Sequence, residues 1–235
     1  MKTTIISLML IFTFSMTIYS QSRKEEQLKT DYIESAFLEY DTNNLPIIKW
    51  ENKDTLKVHI AGEFEYMSKK RWEKYLNKIE DLVNIKIVET KNIAESDIKI
   101  FFGELDAYFA NYKVTAPKNV NLTKFDNWNS RNYNSEKQLT NTSYCIVPSK
   151  TRDSKRGSFN IKKTFLKSLG ILGELENDFS ILNRYQTDNN TQLSKNDKRI
   201  INIHYNNSIK AGMNMDEIKI ALNSIDIPAI LEEKF

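Results

Sequence analysis

The chain has 235 residues, of which 40% are hydrophobic and 11% are aromatic, enough to bury one sizeable core. Lysine and arginine total 34 and aspartate and glutamate total 31, so the net charge is only +3. This even balance gives no electrostatic reason to expect nucleic acid or an anionic membrane surface as a partner, and glycine (6) and proline (4) are too scarce for a disordered chain.

Residues 1–20 have the composition of a secretory signal peptide. Lys2 supplies a positive start, an apolar run continues to Ile18, and Ser20 is a small residue at a cleavage point. The run is short for a membrane span, and an uncleaved anchor is the alternative. We therefore expect an exported protein, secreted or periplasmic, with no stable membrane span after cleavage.

The sequence pattern of residues 21–103 predicts a layered α/β arrangement. The segment 21–44 is expected to hold an amphipathic helix, because apolar side chains recur at helical spacing until Pro46 breaks the pattern. The elements predicted after it are a strand at 55–62, a helix at 67–83 with Ser68 as N-cap, and strands at 84–90 and 96–103.

Residues 104–143 show no regular pattern and are rich in asparagine, serine and threonine. Aromatic and basic side chains are interleaved there, which would allow Trp128 and Tyr133 to line a groove that binds a peptide or a glycan. The other interpretation, which we favour, is a long insertion that packs its own aromatic residues against the domain. Trp128 and Tyr133 remain the candidate binding residues of this segment.

The second half is predicted to be mainly helical. Cys145, the single cysteine, lies in an apolar strand and is expected to be a buried, inert thiol with no disulfide partner. The predicted elements are that strand at 142–150, a helix that Ser158 caps and that ends near Gly170, a helix with a capping box formed by Ser194 and Asp197, and a short helix at about 215–224.

The stretch KKTFLKSLGILGELENDFS, residues 162–180, resembles the central helix of metzincin-type zinc peptidases. In those enzymes two histidines one helical turn apart reach one zinc ion, and a glutamate beside the first polarises the zinc-bound water. A Leu-Gly pair and a third histidine follow. Leu169 and Gly170 match the Leu-Gly pair.

The same resemblance places the zinc-site positions on residues that cannot perform this chemistry. The two helical ligand positions fall on Lys163 and Lys167, the glutamate position on Thr164, and the third ligand position on Gly173. A protonated lysine repels Zn²⁺, and glycine has no side chain. We therefore expect no metal, no cofactor and no catalytic residue here, and we expect both lysines to lie on a solvated helix face.

The chain also resembles, over about residues 45–224, a family of exported bacterial domains of unknown function that is related to the metzincins. Each motif is weak alone, and the likeness depends on their order and spacing. The matching residues are Trp50, Leu169 to Leu172, Leu193, Ser194 and Asp197, and Ala211 to Met213.

The two histidines offer another route to metal chemistry. His59 lies in the first predicted strand, and His204 lies at an apolar-facing position of a late helix. We expect both to be structural. Two histidines could still hold a metal with a carboxylate from Glu174, Glu176 or Asp178 if the fold brought them together.

The predicted fold class is α/β (α+β), with a zincin-like or metzincin-like mixed sheet packed on a central helix and a small helical C-terminal part. The predicted organisation is a signal peptide at 1–20, a helical segment at 21–44 and a single metzincin-like domain at 45–235.

The expected function is that of an exported, non-catalytic pseudo-peptidase that binds a peptide or protein partner at the cell envelope. The principal alternative is a secreted hydrolase or peptidase that uses non-standard residues. A further alternative is attachment to glycan or cell-wall material through Trp128 and its neighbours.

Overall fold

The computed structural model describes residues 21–37, 45–62, 67–118, 120–151, 153–185, 187 and 190–233. The predicted signal peptide and residues 38–44 lie outside these ranges. Within them the helices are α1 (21–36), α2 (Lys69–Val83), α3 (Leu105–Tyr112), α4 (Ser154–Ser168), α5 (Lys195–His204), α6 (Met215–Leu222) and α7 (Ile227–Glu232). The strands are β1 (Thr55–Gly62), β2 (Lys86–Glu89), β3 (Ile98–Phe102), β4 (Asn127–Tyr133) and β5 (Leu139–Ile146).

The five strands form one mixed sheet in the order β2-β1-β3-β5-β4. The first four in this order are parallel, and β4 runs antiparallel to β5. Strand β1 follows directly from the alternation in its sequence, because Leu56 and Val58 are fully buried whereas Lys57 between them is partly exposed. The strands predicted at 55–62, 84–90 and 96–103 are confirmed, and so is α2 with Ser68 as its N-cap.

Helix α4 is buried along most of its length between the sheet, α2 and the segment that follows it. Phe165 packs edge-on against Trp72 with 5.4 Å between ring centroids. The N-cap is Asp153, whose carboxylate accepts a hydrogen bond from the Arg156 N–H at 2.8 Å. The predicted cap at Ser158 is therefore wrong, because the carboxylate five residues earlier already satisfies the first turn.

Two aromatic side chains close the C-terminal end of α4. Trp50 Nε1 donates to the Ser168 carbonyl at 2.9 Å, and the Tyr205 hydroxyl donates to the Leu169 carbonyl at 2.8 Å. Gly170 then turns the chain with a φ of +100°. Trp50 therefore ties the segment before β1 to the end of the central helix.

The segment 104–143 is more regular than predicted, because it contains α3 and β4. Its aromatic residues do pack against the domain: Trp128 contacts Phe109 and Phe125 edge-on, with ring centroids 5.8 and 5.5 Å apart. The sequence NWNSRNY gave little sign of β4, since asparagine and serine have low strand propensity. The strand forms through its pairing with β5.

The C-terminal part is helical, as predicted, and also includes α7, which was not predicted. Helix α5 begins with the expected capping box, in which Ser194 Oγ accepts from the Asp197 N–H and the Asp197 carboxylate accepts from the Ser194 N–H at 2.7 Å. The fully buried Asp197 also accepts from the Ser180 hydroxyl and, at 3.1 Å, from the Ile181 N–H. One carboxylate thus joins α5 to the segment after α4.

The α/β class is confirmed by this mixed sheet with its accompanying helices. The likeness of the fold to metzincins stays a prediction. None of the helices in the described ranges is long and apolar enough to cross a bilayer.

Asp197→Asn should lower the free energy of unfolding by about 2–4 kcal/mol. The N–H groups of Ser194 and Ile181 both donate to Oδ2, so the new amide would keep its oxygen toward them and turn its NH₂ toward the Ser180 hydroxyl, which now donates to Oδ1. The buried cluster would lose its charged acceptor, and the Ser180 hydroxyl would lose its acceptor. Urea unfolding followed by circular dichroism measures the loss.

The matched control is Glu217→Gln, because Glu217 closes the equivalent capping box of α6 at an exposed position. Its loss should stay below about 1 kcal/mol. Equal losses in the two variants would contradict the role given to the buried carboxylate.

Candidate functional site

One face of α4 is polar and lies beside β4. Arg156, Asn160, Lys163 and Lys167 are spaced by four, three and four residues, so they share this face. Between it and β4 lies a cleft of about 150 Å³, which we call the cationic cleft. Its lining is completed by Phe159 and Thr164 of α4, Asn127 and Asn129 of β4, and Glu174 and Arg184 of the segment after α4.

Lys163 is only 8% exposed, so the predicted solvated face is wrong for this residue. Its ammonium group donates to the Asn183 carbonyl at 2.7 Å and forms an ion pair with Glu174 Oε1 at 2.7 Å. Burial lowers the pKa of Lys163 to about 8, with the hydrogen bond to Glu174 acting in the opposite direction. Helical periodicity could not reveal that a later segment covers this face of α4.

Glu174 is shared by three cationic side chains. Lys163 and Lys167 approach Oε1 at 2.7 and 3.2 Å, and Arg184 Nε approaches Oε2 at 3.3 Å. Burial raises the pKa of this carboxyl, but the hydrogen bonds and charges of the two lysines outweigh burial and leave the pKa below its ordinary value. Lys167 is itself partly covered, with 19% of its side chain exposed, so its predicted solvation is also wrong.

Arg156 closes the end of the cleft near the start of α4. Its guanidinium lies 3.3 Å from Asp126 Oδ2, and Asn160 donates to the same oxygen at 3.5 Å. Because Asp126 directly precedes β4, these contacts join the helix to the edge strand.

Gly173 lies apart from the cationic cleft, under α1. Its N–H donates to the Ser35 carbonyl at 2.8 Å, and a Cβ at this position would lie 1.9 Å from the Glu34 carbonyl oxygen. The structure therefore brings together Lys163, Thr164 and Lys167, but it places the fourth predicted position against another helix.

The outer edge of β4 presents backbone groups that the sheet does not use. The Val147 N–H donates to the Asp126 carbonyl at 2.9 Å, and the register pairs Asn127 with Ile146. Because bonded and non-bonded pairs alternate in an antiparallel ladder, the N–H and C=O groups of Asn127, Asn129 and Arg131 point away from β5. No strand of the described chain lies beyond this edge.

A larger groove of about 1010 Å³ adjoins the cationic cleft and shares Glu174 and Arg184 with it. The other charged residues of this groove are acidic: Asp31, Glu34, Glu176 and Asp178. Burial raises the pKa of the Glu34 carboxyl, and the nearby charges of Asp31 and Glu176 add to the rise. The two adjoining surfaces therefore have opposite electrostatic character.

Trp128 and Tyr133 lie near the two ends of β4. Trp128 is partly buried in the aromatic contacts with α3 described above, and it does not line the cationic cleft. Tyr133 is 40% exposed, and the ammonium group of Lys137 lies 4.7 Å from its ring centroid.

The two histidines have separate surroundings. His59 Nδ1 lies 3.1 Å from the Thr90 carbonyl oxygen. His204 is fully buried with Nδ1 3.4 Å from the Tyr32 hydroxyl, and burial lowers its pKa to about 3. Within the described ranges, no three His, Cys, Asp or Glu side chains are arranged to hold a metal ion.

Cys145 is buried, as predicted, and its Sγ lies 3.2 Å from the Gly103 carbonyl oxygen. Burial raises the pKa of the thiol to about 12, so the reactive thiolate is disfavoured at neutral pH.

Sequence reasoning named Lys163, Thr164 and Lys167, and it named Glu174 only as a possible metal donor; it missed the other residues of the cleft. A signal was present, since Arg156 and Asn160 continue the polar stripe of Lys163 and Lys167 along one face of the helix. Asn127 and Asn129 carried no such signal, because β4 itself was not predicted.

Gly173→Ala should cost at least about 2 kcal/mol of folding free energy, because the new methyl group would overlap the Glu34 carbonyl and force α1 away. Urea unfolding again measures the loss in the free energy of unfolding. In the control Gly212→Ala the nearest atom would be 3.3 Å away, so only the φ of +87° is unfavourable. A larger loss in the control would show that α1 does not fix Gly173.

Stability should rise with pH between about 8 and 9.5, because buried lysines lose protons more readily in the folded chain. Lys49 is 5% exposed and donates to the His204 and Ile209 carbonyls, both at 2.9 Å. Burial lowers the pKa of Lys49 and of Lys163 to about 8 from an ordinary 10.5. Above pH 8 the unfolded chain therefore binds more protons than the folded chain, and raising the pH favours folding.

The free energy of unfolding, measured with urea, should be higher at pH about 9.5 than at pH about 7.5. Lys163→Met should reduce this rise by about 1 kcal/mol, and Lys49→Met should act similarly. Above pH 10 the effect is opposed by buried tyrosines such as Tyr75, whose pKa burial raises. An unchanged rise in both variants would contradict the assignment of this pH dependence to Lys163 and Lys49.

Comparison with known families gives one finding that spans most of the chain. The family model described as "Protein of unknown function (DUF2927)" matches residues 25–224. The match covers most of α1, the whole sheet, the cationic cleft and the helices as far as α6. No curated protein matches the chain.

Proposed function

Because the chain belongs to the DUF2927 family of proteins of unknown function, we propose its function from the geometry of the cationic cleft and of the neighbouring sheet edge. The protein is an exported, non-catalytic domain that holds an extended peptide, or an extended segment of a protein partner, as an additional strand beside β4.

The outward-facing backbone of β4 carries this proposal. An added antiparallel strand would bond to the free N–H and C=O groups of Asn127, Asn129 and Arg131. The side chains of Asn127 and Asn129 line the cationic cleft. A segment bound at this edge would therefore run along the rim of the cleft and place alternate side chains toward it.

The chemistry of the cleft supports binding rather than hydrolysis. The two positions that resemble helical zinc ligands carry ammonium groups, both paired with Glu174. The third position, Gly173, is covered by α1. The alternative of a hydrolase with non-standard residues gains nothing from Cys145, whose thiol is buried and protonated.

Export is part of the proposal on the strength of residues 1–20. The single buried cysteine is compatible with an oxidising compartment, because it offers no exposed thiol. The mature protein would be a single metzincin-like domain preceded by the helical segment 21–44. Its helix α1 packs on the main core through Leu28 and Tyr32.

Asn129→Pro should abolish peptide binding, because proline removes the outward N–H while the bonds from β4 to β5 come from the neighbouring residues. The test is an array of peptides of about 12 residues, with equal shares of acidic, neutral and basic sequences, probed with the purified protein. Asn129→Ala keeps the backbone N–H and should bind the neutral peptides of the array within about twofold.

Thermal unfolding of both variants establishes that the fold is retained. Binding by the proline variant equal to that of the wild type would refute the edge-strand proposal, as would an array on which no peptide is bound. Cleavage of the peptides, seen by mass spectrometry, or stoichiometric zinc that survives dialysis would favour the hydrolase instead.

A further inference from the structure

Among the described residues, the cationic cleft has more positive than negative groups. Arg156, Lys163, Lys167 and Arg184 contribute four cationic side chains, Glu174 contributes a carboxylate, and Asp126 pairs with Arg156 at the end of the cleft. The carboxylate of Glu174 is already divided among three of these cations. A further anion in the cleft would relieve their mutual repulsion.

Lys167 and Arg156 are the cations best placed to meet a bound group. Their side chains are 19% and 33% exposed, compared with 10% for Lys163, whose ammonium group is also held by the Asn183 carbonyl. An ammonium group has three N–H donors, and the contact of Lys167 with Glu174 uses one of them. The side-chain amide of Asn129 lies in the wall formed by β4 and supplies further donors.

The cleft has the size of one small side chain. Its volume of about 150 Å³ corresponds to roughly five water molecules at ~30 Å³ each, or to a short chain that ends in a carboxylate. It is too small for a folded domain and is placed under one position of the proposed added strand.

The neighbouring groove restricts where a negative charge can sit. Asp31, Glu34, Glu176 and Asp178 line it, and the raised pKa of Glu34 reflects burial together with the carboxylates around it. An acidic group of a bound segment would be repelled there and attracted to the cationic cleft. The charge contrast would therefore fix the register of the segment along β4.

We propose that the cationic cleft is the specificity pocket of the peptide site and that it binds a carboxylate of the bound segment through Lys167 and Asn129, with Arg156 adding positive charge at the end of the cleft near the start of α4. This inference rests on the proposed function. The carboxylate comes from an aspartate or glutamate side chain or from the C-terminus of the segment, and the experiment distinguishes the two sources.

The probes are fluorescein-labelled peptides of about 12 residues selected on the array, each prepared in four forms. Glutamate or glutamine occupies the single acidic position, and the C-terminus is free or amidated. Fluorescence anisotropy titrations measure their affinity for the wild type, Lys167→Gln, Lys167→Arg and the control Lys155→Gln. Lys155 is an exposed lysine of the same helix that does not line the cleft.

The wild type should bind the carboxylate form about tenfold more tightly than the matched neutral form. Lys167→Gln should lose this preference without weakening the neutral form, whereas Lys167→Arg and Lys155→Gln should retain it. A preference that follows glutamate identifies a side chain as the source, and one that follows the free C-terminus identifies the chain end. Raising NaCl from about 50 to about 500 mM should reduce the preference.

Equal binding of the charged and neutral peptides would overturn the carboxylate pocket. If Asn129→Pro still abolished the binding of both peptides, the edge-strand function would stand without the carboxylate pocket. Equal weakening of both peptides by Lys167→Gln would likewise overturn the pocket, because a structural role of Lys167 acts on every ligand. Failure of all peptides to bind would overturn the function and the pocket together.

Discussion

The rest of the structure depends on the burial of a helix that carries amines. Helix α4 is enclosed on several sides, so each of its polar groups must find a partner away from water. Lys162 donates to the Thr191 carbonyl and Lys163 to the Asn183 carbonyl. These bonds fasten the segment after α4 to the helix. At the far end, Trp50 and Tyr205 donate hydrogen bonds to its last carbonyls.

The same constraint produces the cationic cleft. Lysines that are largely buried share the few acceptors around them, and Glu174 becomes the common partner of Lys163, Lys167 and Arg184. The polar stripe of α4 then faces β4, an edge strand of the sheet. A surface with excess positive charge and an open strand edge, side by side, has the features that the proposed binding of an extended segment requires.

Local signals made part of this structure predictable from sequence. Strand β1, helix α2 with Ser68 and the capping box of Ser194 and Asp197 all follow from patterns within a few residues. The burial of Lys163 and the existence of β4 depend on partners far away in the chain. For that reason the sequence led to the right lysines with the wrong surroundings, and it missed the asparagines opposite them.

An open strand edge is also a hazard, because identical copies can join edge to edge and grow into fibrils. Strand β4 limits this in two ways. Asparagine, serine and arginine occupy most of its positions, so another copy of the strand would gain little apolar contact. The register shift between Asn132 and Tyr133 interrupts the ladder, so a long, flat pairing of two copies cannot form.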